Sequence, residues 1–393
     1  MRLLVSADIH LGSPIRSVAL RNPELGARLK QASRDAFAKI IDLAIAEKVD
    51  ALILAGDIFD RDHPELRARA FLIAQLARAA EAGVPTVLIR GNHDALLDHQ
   101  AHGELGPNIH LLHRAVPTVE IKGTAFHGLS FESSHMSESL LPGYPPPVSG
   151  KRNVGLMHTS LDGAPGHDPY APCAERDLMA HGYDLWCLGH IHAPFERAEG
   201  DVLAVMPGIP QPRHFGERRG GTVALMTLGE EGPPQIERRE VAVLAFAECE
   251  VDLTEAEDQQ AVLRALQEGM KAARVSGQDT ALRLRVITDE ISSEMLAELA
   301  AEVLENVEGV YLDKVKSVPS PTDEGAQADV LTRLMREELA EEGFRHASMK
   351  ELQDLQGVLP AEIADELEAG ELDALLEEAI GEVALLLHGD AVK

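Results

Sequence analysis

Two short segments of the chain carry metal-ligating side chains at alternate positions. Asp8-Ile9-His10 lies near the start of the sequence, and His190-Ile191-His192 lies near its middle. Between them stand Asp57, the dipeptide Asn92-His93 and His158. Carboxylates, imidazoles and an amide oxygen are ligands that suit divalent transition metals such as manganese, iron and zinc. The set therefore predicts a site for divalent metal ions.

A site of this kind suits the hydrolysis of a phosphate ester. Two metal ions about 3.5–4 Å apart can hold a bridging hydroxide and clamp a phosphoryl group for in-line attack. Asp57 is the central carboxylate of the set, and one carboxylate can bridge two ions. In Asp-x-His and His-x-His, the alternation of side chains along an extended segment would point both groups of each pair into one crevice.

Each of these polar groups directly follows an apolar segment that is typical of a buried strand. A lone polar residue in such a place is usually a capped turn or a solvated loop residue, but five such groups in succession favour a shared site. Because ligands of open α/β sheets bind beyond the carboxyl ends of the strands, we expect the groups to meet there. The predicted strands are residues 2–7, 51–55, 84–89, 154–157 and 185–188.

The segments between these strands predict the architecture. Residues 24–47 carry apolar side chains at helical spacing, and Pro64 opens a second helix that we expect to reach about residue 82. Strands that alternate with helices predict a parallel sheet with right-handed crossovers. After residue 108, shorter strands predict a second sheet packed on the first, with helices outside. The predicted fold class is α/β.

Three domains are expected along the chain: residues 1–230, 245–318 and 323–393. Turn-forming residues at 229–234 and the Pro319-Ser320-Pro321 segment mark the boundaries. Residues 245–318 alternate strands and helices as a small α+β unit. Residues 323–393 are helical and acidic, with an apolar stripe along the helices. That stripe predicts either a helical domain that packs on itself or a docking element for a partner's coiled coil.

The charge of the chain is negative and uneven. The formal net charge is −29, of which −5 falls on residues 1–230 and −24 on the remainder. Such a surface repels polyanions over long range, so a nucleic-acid substrate requires local basic residues, metal ions or a partner. The three cysteines have no paired spacing, which argues against a disulfide framework. Without a leader-like or membrane-spanning segment, we expect a cytoplasmic protein with no membrane contact.

Five motifs between residues 8 and 192 together resemble the signature of the calcineurin-like metallophosphoesterases: Asp-x-His, Gly-Asp-x-x-Asp, Gly-Asn-His-Asp, a strand-end histidine and Gly-His-x-His. Within that superfamily the chain resembles the SbcD-type DNA repair exonucleases, the nuclease partners of SMC-like ATPases. It is similar to their YhaO-type branch in the segments 127–131 and 156–160. The resemblance implies a four-layer α-β-β-α sandwich, a small α+β capping domain and an acidic helical C-terminal region.

The resemblance also implies roles for individual residues. Two overlapping ligand sets would hold two divalent ions: Asp8, His10, Asp57 and His192 for one, and Asp57, Asn92, His158 and His190 for the other. Manganese is the implied ion, and the ligand types also suit iron or zinc. His93 would stabilise the transition state or protonate the leaving 3′-oxygen, as a histidine can near neutral pH. Asp94 would orient His93 or a neighbouring loop, and Asp60 would have a capping or supporting role.

A short basic stretch lies beyond the metal motifs and contains Arg213, His214 and Arg218. It predicts either contact with a phosphate backbone beside the metal ions or a solvated hairpin. Taken together, the sequence predicts a metal-dependent phosphodiesterase that cleaves DNA in repair, as exonuclease or endonuclease. The resemblance implies an SMC-like coiled-coil ATPase of the SbcC/YhaN type as partner, and a homodimer.

Two alternative functions stay open. The first is a metallophosphoesterase that acts on a small nucleotide or phosphodiester, which the negative charge favours. The second is a non-catalytic module that binds DNA ends for the ATPase. The complete ligand set and the presence of His93 argue against this second alternative, because a degenerate site would have lost one of these residues.

Overall fold

The structure is a computed structural model of the 393-residue chain. It describes residues 1–13, 22–60, 66–96, 106, 108–161, 170–288, 291–318, 320 and 334–335. These residues form two compact units: residues 1–13 with Arg28–Leu244, and residues 22–27 with those from Ala245 onward. The acidic helical region predicted over 323–393 lies, apart from residues 334–335, outside the described residues.

The elements of the first unit follow the predicted order. The helices are α1 (Pro23–Ala46), α2 (Leu66–Glu81) and α3 (Glu175–Ala180). The strands are β1 (Arg2–Ser6), β2 (Ala51–Ala55), β3 (Thr86–Ile89), β4 (Ile109–Leu111), β5 (Thr118–Ile121), β6 (Thr124–Gly128), β7 (Arg152–His158), β8 (Leu185–Gly189), β9 (Phe195–Glu199), β10 (Val202–Met206), β11 (Thr222–Thr227) and β12 (Gln235–Glu240).

These strands form two sheets. Within the described residues, one sheet has the order β12-β11-β1-β2-β3-β4 and the other the order β5-β6-β7-β8-β10-β9. β1 to β4 are parallel to one another, and so are β6, β7, β8 and β10. β11 and β12 continue the first sheet antiparallel, so the chain stays in this unit through residue 244 and does not leave it at the turn of residues 229–234.

The side chains of the strands alternate between two buried surfaces, which gives four layers. Leu3 and Val5 of β1 pack between the sheets against residues of the second sheet such as Leu156. Leu4 of the same strand packs on the other side, in the core formed with α1 and α2. On the outer face of the second sheet, Trp186 of β8 packs with Leu178 and other residues around α3. This α-β-β-α arrangement confirms the predicted fold class, because central parallel strands are buried on both faces.

The second unit contains a small sheet covered by two helices. Its strands are β13 (Leu244–Asp252), β14 (Asp279–Ile287) and β15 (Val310–Val318), in that spatial order. Its helices are α4 (Gln259–Ala273) and α5 (Ser293–Leu304), which share one core with the sheet. Asp258 and Ser292 cap these helices through side-chain oxygens that accept from Ala261 N and Met295 N. Across the part of the chain that is described, no helix is long and apolar enough to span a bilayer.

Candidate metal centre

The side chains predicted to bind metal leave from the carboxyl ends of strands in both sheets. The parallel registers of β1, β2 and β3, and of β7 with β8, bring these ends to one edge of each sheet. The residues concerned are Asp8 and His10 after β1, Asp57 after β2, Asn92 and His93 after β3, His158 at the end of β7, and His190 and His192 after β8.

Several of these residues have an uncommon backbone conformation. Asp8, His10 and Asp57 have φ angles of 53°, 48° and 49°, and His190 has a φ of 99°. Left-handed backbone is rare for residues that carry a side chain, and it clusters at functional sites. The segment from Asp8 to His10 is therefore not extended, and our expectation of strand-like alternation there is wrong. The turns bring both side chains to the site instead.

One half of the site consists of Asp8, His10 and His192, and we call it the His10 half. The Nε2 atoms of His10 and His192 lie 3.1 Å apart. Their Nδ1 atoms face carboxylates: His10 Nδ1 lies 3.0 Å from Asp60 Oδ1, and His192 Nδ1 lies 2.7 Å from Glu217 Oε1. The ligand atoms of the three members lie within 4.8 Å of one another.

The other half consists of Asp57, Asn92 and His158, and we call it the His158 half. His158 Nε2 lies 3.0 Å from Asn92 Oδ1 and 3.2 Å from Asp57 Oδ2. The opposite ring nitrogen of His158, Nδ1, lies 3.0 Å from the backbone oxygen of Ala55 and can donate to it. Asp57 Oδ2 is also 4.0 Å from His10 Nε2, so this carboxylate stands between the two halves.

Mutual attraction between opposite charges offsets the burial of these groups. Burial favours a neutral Asp57, but the imidazoles of His158 and His93 hold the pKa of that carboxyl well below its usual range. Burial likewise opposes the charge of His158, yet Asp57 raises the pKa of this imidazole to about 9. Burial and the nearby Arg213 lower the pKa of His10. The centre is thus built from ionised carboxylates and from imidazoles of different basicity.

The donor set fits divalent cations. Asp8, Asp57 and His158 are buried and form a group whose ligand atoms lie within 4.8 Å, and among the described residues Asp8 also belongs to the group with His10 and His192. Two buried carboxylates require compensating positive charge. With Nδ1 directed at the Ala55 carbonyl, His158 Nε2 faces two oxygen acceptors, so a positive ion must lie among them. Separations of about 3 Å are those of nitrogen and oxygen ligands that share one ion at roughly 2.0–2.2 Å.

Asp94 holds the loops that carry Asp57 and Asn92. Its Oδ2 accepts from Ile58 N at 2.9 Å, and its Oδ1 accepts from Gly91 N at 2.8 Å. Burial and repulsion from Asp57 raise the pKa of the Asp94 carboxyl to about 6. Gly91 has no positive φ; a Cβ at this position would lie 2.1 Å from Asp57 Oδ1, so the residue is required for space.

His93 lies beside the ligand groups and is fixed at both its backbone and its ring. Its backbone N donates to Asp57 Oδ1 at 3.0 Å, and its Nδ1 lies 3.0 Å from the backbone oxygen of Asp60. Its ring packs edge-on against that of His10, with centroids 4.9 Å apart. Burial opposes a charge on His93, but Asp57 and Asp60 raise the pKa of its imidazole. A partly buried imidazole with a raised pKa can carry a proton near neutral pH.

The remaining predicted site residues differ in their surroundings. His190 donates its backbone N to Asp8 Oδ1 at 3.0 Å, and its ring centroid lies 5.3 Å from that of His158. Among the described residues, however, the groups of ligand atoms within 4.8 Å of one another do not include His190. His214 is half-buried and accepts from Gly216 N through Nδ1, and Arg218 is exposed. The roles expected for these residues stay predictions.

Arg213 is directed at carboxylates of the site. Its Nη1 lies 2.9 Å from Asp60 Oδ1, and its Nη2 lies 2.8 Å from Glu217 Oε1. Its side chain is 13% exposed. Contact of Arg213 with a nucleic-acid backbone stays a prediction. Sequence reasoning missed Glu217, because no spacing relates it to His192 across an irregular loop, and Arg213 is only its local i,i+4 partner.

Comparison with known proteins gives independent information on the chain. Residues 1–194 match the protein family described as calcineurin-like phosphoesterase. The chain is 30% identical over 285 residues to the uncharacterized metallophosphoesterase YhaO of Bacillus subtilis strain 168, an alignment that covers 71% of this chain and 70% of that protein.

Two further relatives have names that refer to DNA repair or nuclease activity. The DNA double-strand break repair protein Mre11 of Methanopyrus kandleri is 26% identical over 238 residues, which cover 55% of this chain and 50% of that protein. The SbcD component of the nuclease SbcCD of Rhodobacter capsulatus is 36% identical over 97 residues, 24% of this chain and 22% of that protein. The similarity thus spans half of this Mre11 and less than a quarter of this SbcD.

Proposed function

The chain belongs to the calcineurin-like phosphoesterase family, and on that premise we propose that it is a metal-dependent phosphodiesterase that hydrolyses DNA. The observation that carries the proposal is the convergence of the His10 half and the His158 half on either side of Asp57, with His93 alongside. The names of two relatives, a double-strand break repair protein and a nuclease component, support DNA as the substrate class.

The two halves would each hold one divalent cation, with Asp57 shared between them. Asp8, His10 and His192 would serve one cation, and Asn92 and His158 the other, with His190 as a further ligand. We propose manganese as the physiological ion. When bound, the pair of cations would supply the nucleophile and neutralise charge on the phosphoryl oxygens.

His93 would act on the leaving group. Its Nδ1 faces the backbone oxygen of Asp60, which leaves Nε2 as the ring atom able to hold a proton for the departing 3′-oxygen. The neighbouring carboxylates favour the protonated form of His93, as an acid requires. Asp94 would act indirectly, because its contacts with Ile58 N and Gly91 N hold the loops in place.

The wider assembly follows from the same proposal. The relatives' names support a partnership with an SMC-like coiled-coil ATPase, in which this chain is the nuclease and DNA the shared ligand. We propose residues 1–230 as the nuclease domain, residues 245–318 as a domain that shapes access of the DNA end, and residues 323–393 as a docking region for the ATPase. We also propose a homodimer and a cytoplasmic location.

The experiment that tests the function is cleavage of linear duplex and single-stranded DNA with added Mn²⁺, with and without the partner ATPase. His93→Ala should lower the rate by about 10²–10⁴-fold, which is the contribution of a general acid. His110→Ala, on the half-buried strand β4, is the matched control and should cleave as the wild type does. Cleavage that is unchanged by His93→Ala would contradict the role of His93.

A small phosphodiester is the second candidate substrate, and the net charge of −29 favours it. The discriminating substrate is bis-p-nitrophenyl phosphate. Hydrolysis of this compound without any cleavage of DNA, even with the ATPase present, would favour the small-substrate function. Binding of DNA ends without hydrolysis of either substrate would favour a non-catalytic module.

A further inference from the structure

We propose that Arg213 is a positioning residue for the His10 half: it holds two carboxylates that in turn orient the two imidazoles of that half. The inference rests on the proposed function, since it assigns these imidazoles to a metal ion. It differs from the expectation that Arg213 contacts a phosphate backbone, because it places the effect of Arg213 on metal affinity.

The first observation is that each imidazole of the His10 half has a carboxylate at the nitrogen that faces away from the partner imidazole. Glu217 Oε1 lies 2.7 Å from His192 Nδ1, and Asp60 Oδ1 lies 3.0 Å from His10 Nδ1. A carboxylate at Nδ1 favours a proton on that nitrogen and leaves the Nε2 lone pair for a metal ion. The two Nε2 atoms, 3.1 Å apart, are the atoms so exposed.

The second observation is that one guanidinium joins both carboxylates. Arg213 Nη1 donates to Asp60 Oδ1 at 2.9 Å, and Nη2 donates to Glu217 Oε1 at 2.8 Å. The backbone N of Arg213 also donates to Glu217 Oε2 at 2.7 Å. A planar guanidinium suits this arrangement, because its fork of N–H groups reaches two acceptors at fixed angles and stays charged at any physiological pH.

Charge explains why the connecting residue is a cation. Glu217 is buried, and Asp60 is only 13% exposed at its side chain, so two carboxylates lie close together and largely out of water. Without Arg213 they would repel each other and would be costly to keep ionised. With Arg213 between them they can remain acceptors for the two imidazoles. Arg213 therefore acts on both histidines through two short chains of contacts.

The His158 half provides an internal reference. There the corresponding ring nitrogen, His158 Nδ1, faces the backbone oxygen of Ala55 and not a carboxylate held by the guanidinium. The carboxylates that Arg213 holds, Asp60 and Glu217, face the imidazoles of the His10 half. Loss of the guanidinium should consequently weaken one metal position and spare the other. A general loss of packing around the site would weaken both positions alike.

The test is a Mn²⁺ titration of the full-length, metal-free chain by calorimetry, with electron paramagnetic resonance to report whether two ions occupy neighbouring positions. For Arg213→Met we expect one of the two affinities to fall by roughly 10–100-fold, the usual cost of losing an orienting partner, and the other to stay unchanged. Arg213→Lys keeps the charge but not the fork and should recover part of the loss. Arg219→Met, an exposed arginine of the same segment, is the matched control.

Glu217→Gln keeps the shape of the side chain and should weaken the same metal position, which keeps the inference testable if Arg213→Met fails to fold. Equal weakening of both positions, or unchanged Mn²⁺ affinities together with weaker DNA binding by Arg213→Met, would overturn the inference while leaving the proposed function intact. A wild-type chain that binds no Mn²⁺ would instead overturn the proposed function and this inference with it.

Discussion

The two halves of the candidate metal centre hold their histidines by different means. In the His158 half, the outer nitrogen of the imidazole faces a backbone oxygen at the end of β2, a strand buried on both faces. In the His10 half, both outer nitrogens face carboxylates, and both carboxylates contact Arg213. One half therefore depends on the sheet itself, whereas the other depends on side chains from irregular segments.

The difference shows where single substitutions can act. A backbone carbonyl cannot be removed by mutation, so the orientation of His158 persists as long as β2 and β7 pair with their neighbours. The orientation of His10 and His192 can be altered through Asp60, Arg213 or Glu217 without touching a ligand. Orienting partners of this kind tune metal affinity by changing ligand geometry and basicity. The His10 half is accordingly the more adjustable of the two.

The largest effect is expected for Asp57→Asn, which should erase the distinction between the halves. Asp57 Oδ2 lies 3.2 Å from His158 Nε2 and 4.0 Å from His10 Nε2, so both metal positions lose the shared carboxylate. Mn²⁺ titration and hydrolysis of bis-p-nitrophenyl phosphate should show losses greater than the roughly 10–100-fold cost of losing an orienting partner. Asp184→Asn, just before β8 at the opposite end of the strand, is the control. Two unchanged affinities would contradict the shared role.

An intermediate effect is expected for Asn92→Ala, which should sharpen the comparison. The substitution removes the amide oxygen 3.0 Å from His158 Nε2 and leaves the His10 half intact. In the Mn²⁺ titration, one affinity should fall and the other should persist. Asn306→Ala, which removes an exposed amide in the second unit, should change neither. Parallel loss at both positions would mean that the halves do not bind independently.

The smallest effect is expected for Asp94→Asn, which tests the support beneath the His158 half. The amide retains one acceptor oxygen, so either Ile58 N or Gly91 N loses its partner inside the protein. Leaving one buried donor unpaired should lower the free energy of unfolding by about 1–3 kcal/mol, measured by urea denaturation of the metal-free chain. Asp258→Asn is the control, since asparagine caps α4 as well as aspartate does. A loss of activity without a loss of stability would point to a direct role for Asp94.

Buried elements were predictable from the sequence, and exposed ones were not. The apolar segment at β2 predicted a strand because all five of its residues are buried between two layers. β9 and β12 were missed, because Phe-Glu-Arg-Ala-Glu and Gln-Ile-Glu-Arg-Arg-Glu are polar and each lies at the edge of a sheet. An edge strand has few residues in the core, so its sequence carries little periodic signal. Only pairing with β10 and β11 makes these segments strands.

For the candidate site, the sequence by itself determined the types of ligand, their order and their places after buried strands. The parallel order of those strands was enough to predict that Asp8, Asp57 and Asn92 come together, because parallel strands end at one edge. Only the tertiary structure decided how the histidines are oriented, since the left-handed turn at His10 and the contacts of Arg213 join residues far apart in the chain. Ligand identity is a property of single residues and local pattern, whereas ligand orientation arises from contacts that exist only in the folded chain.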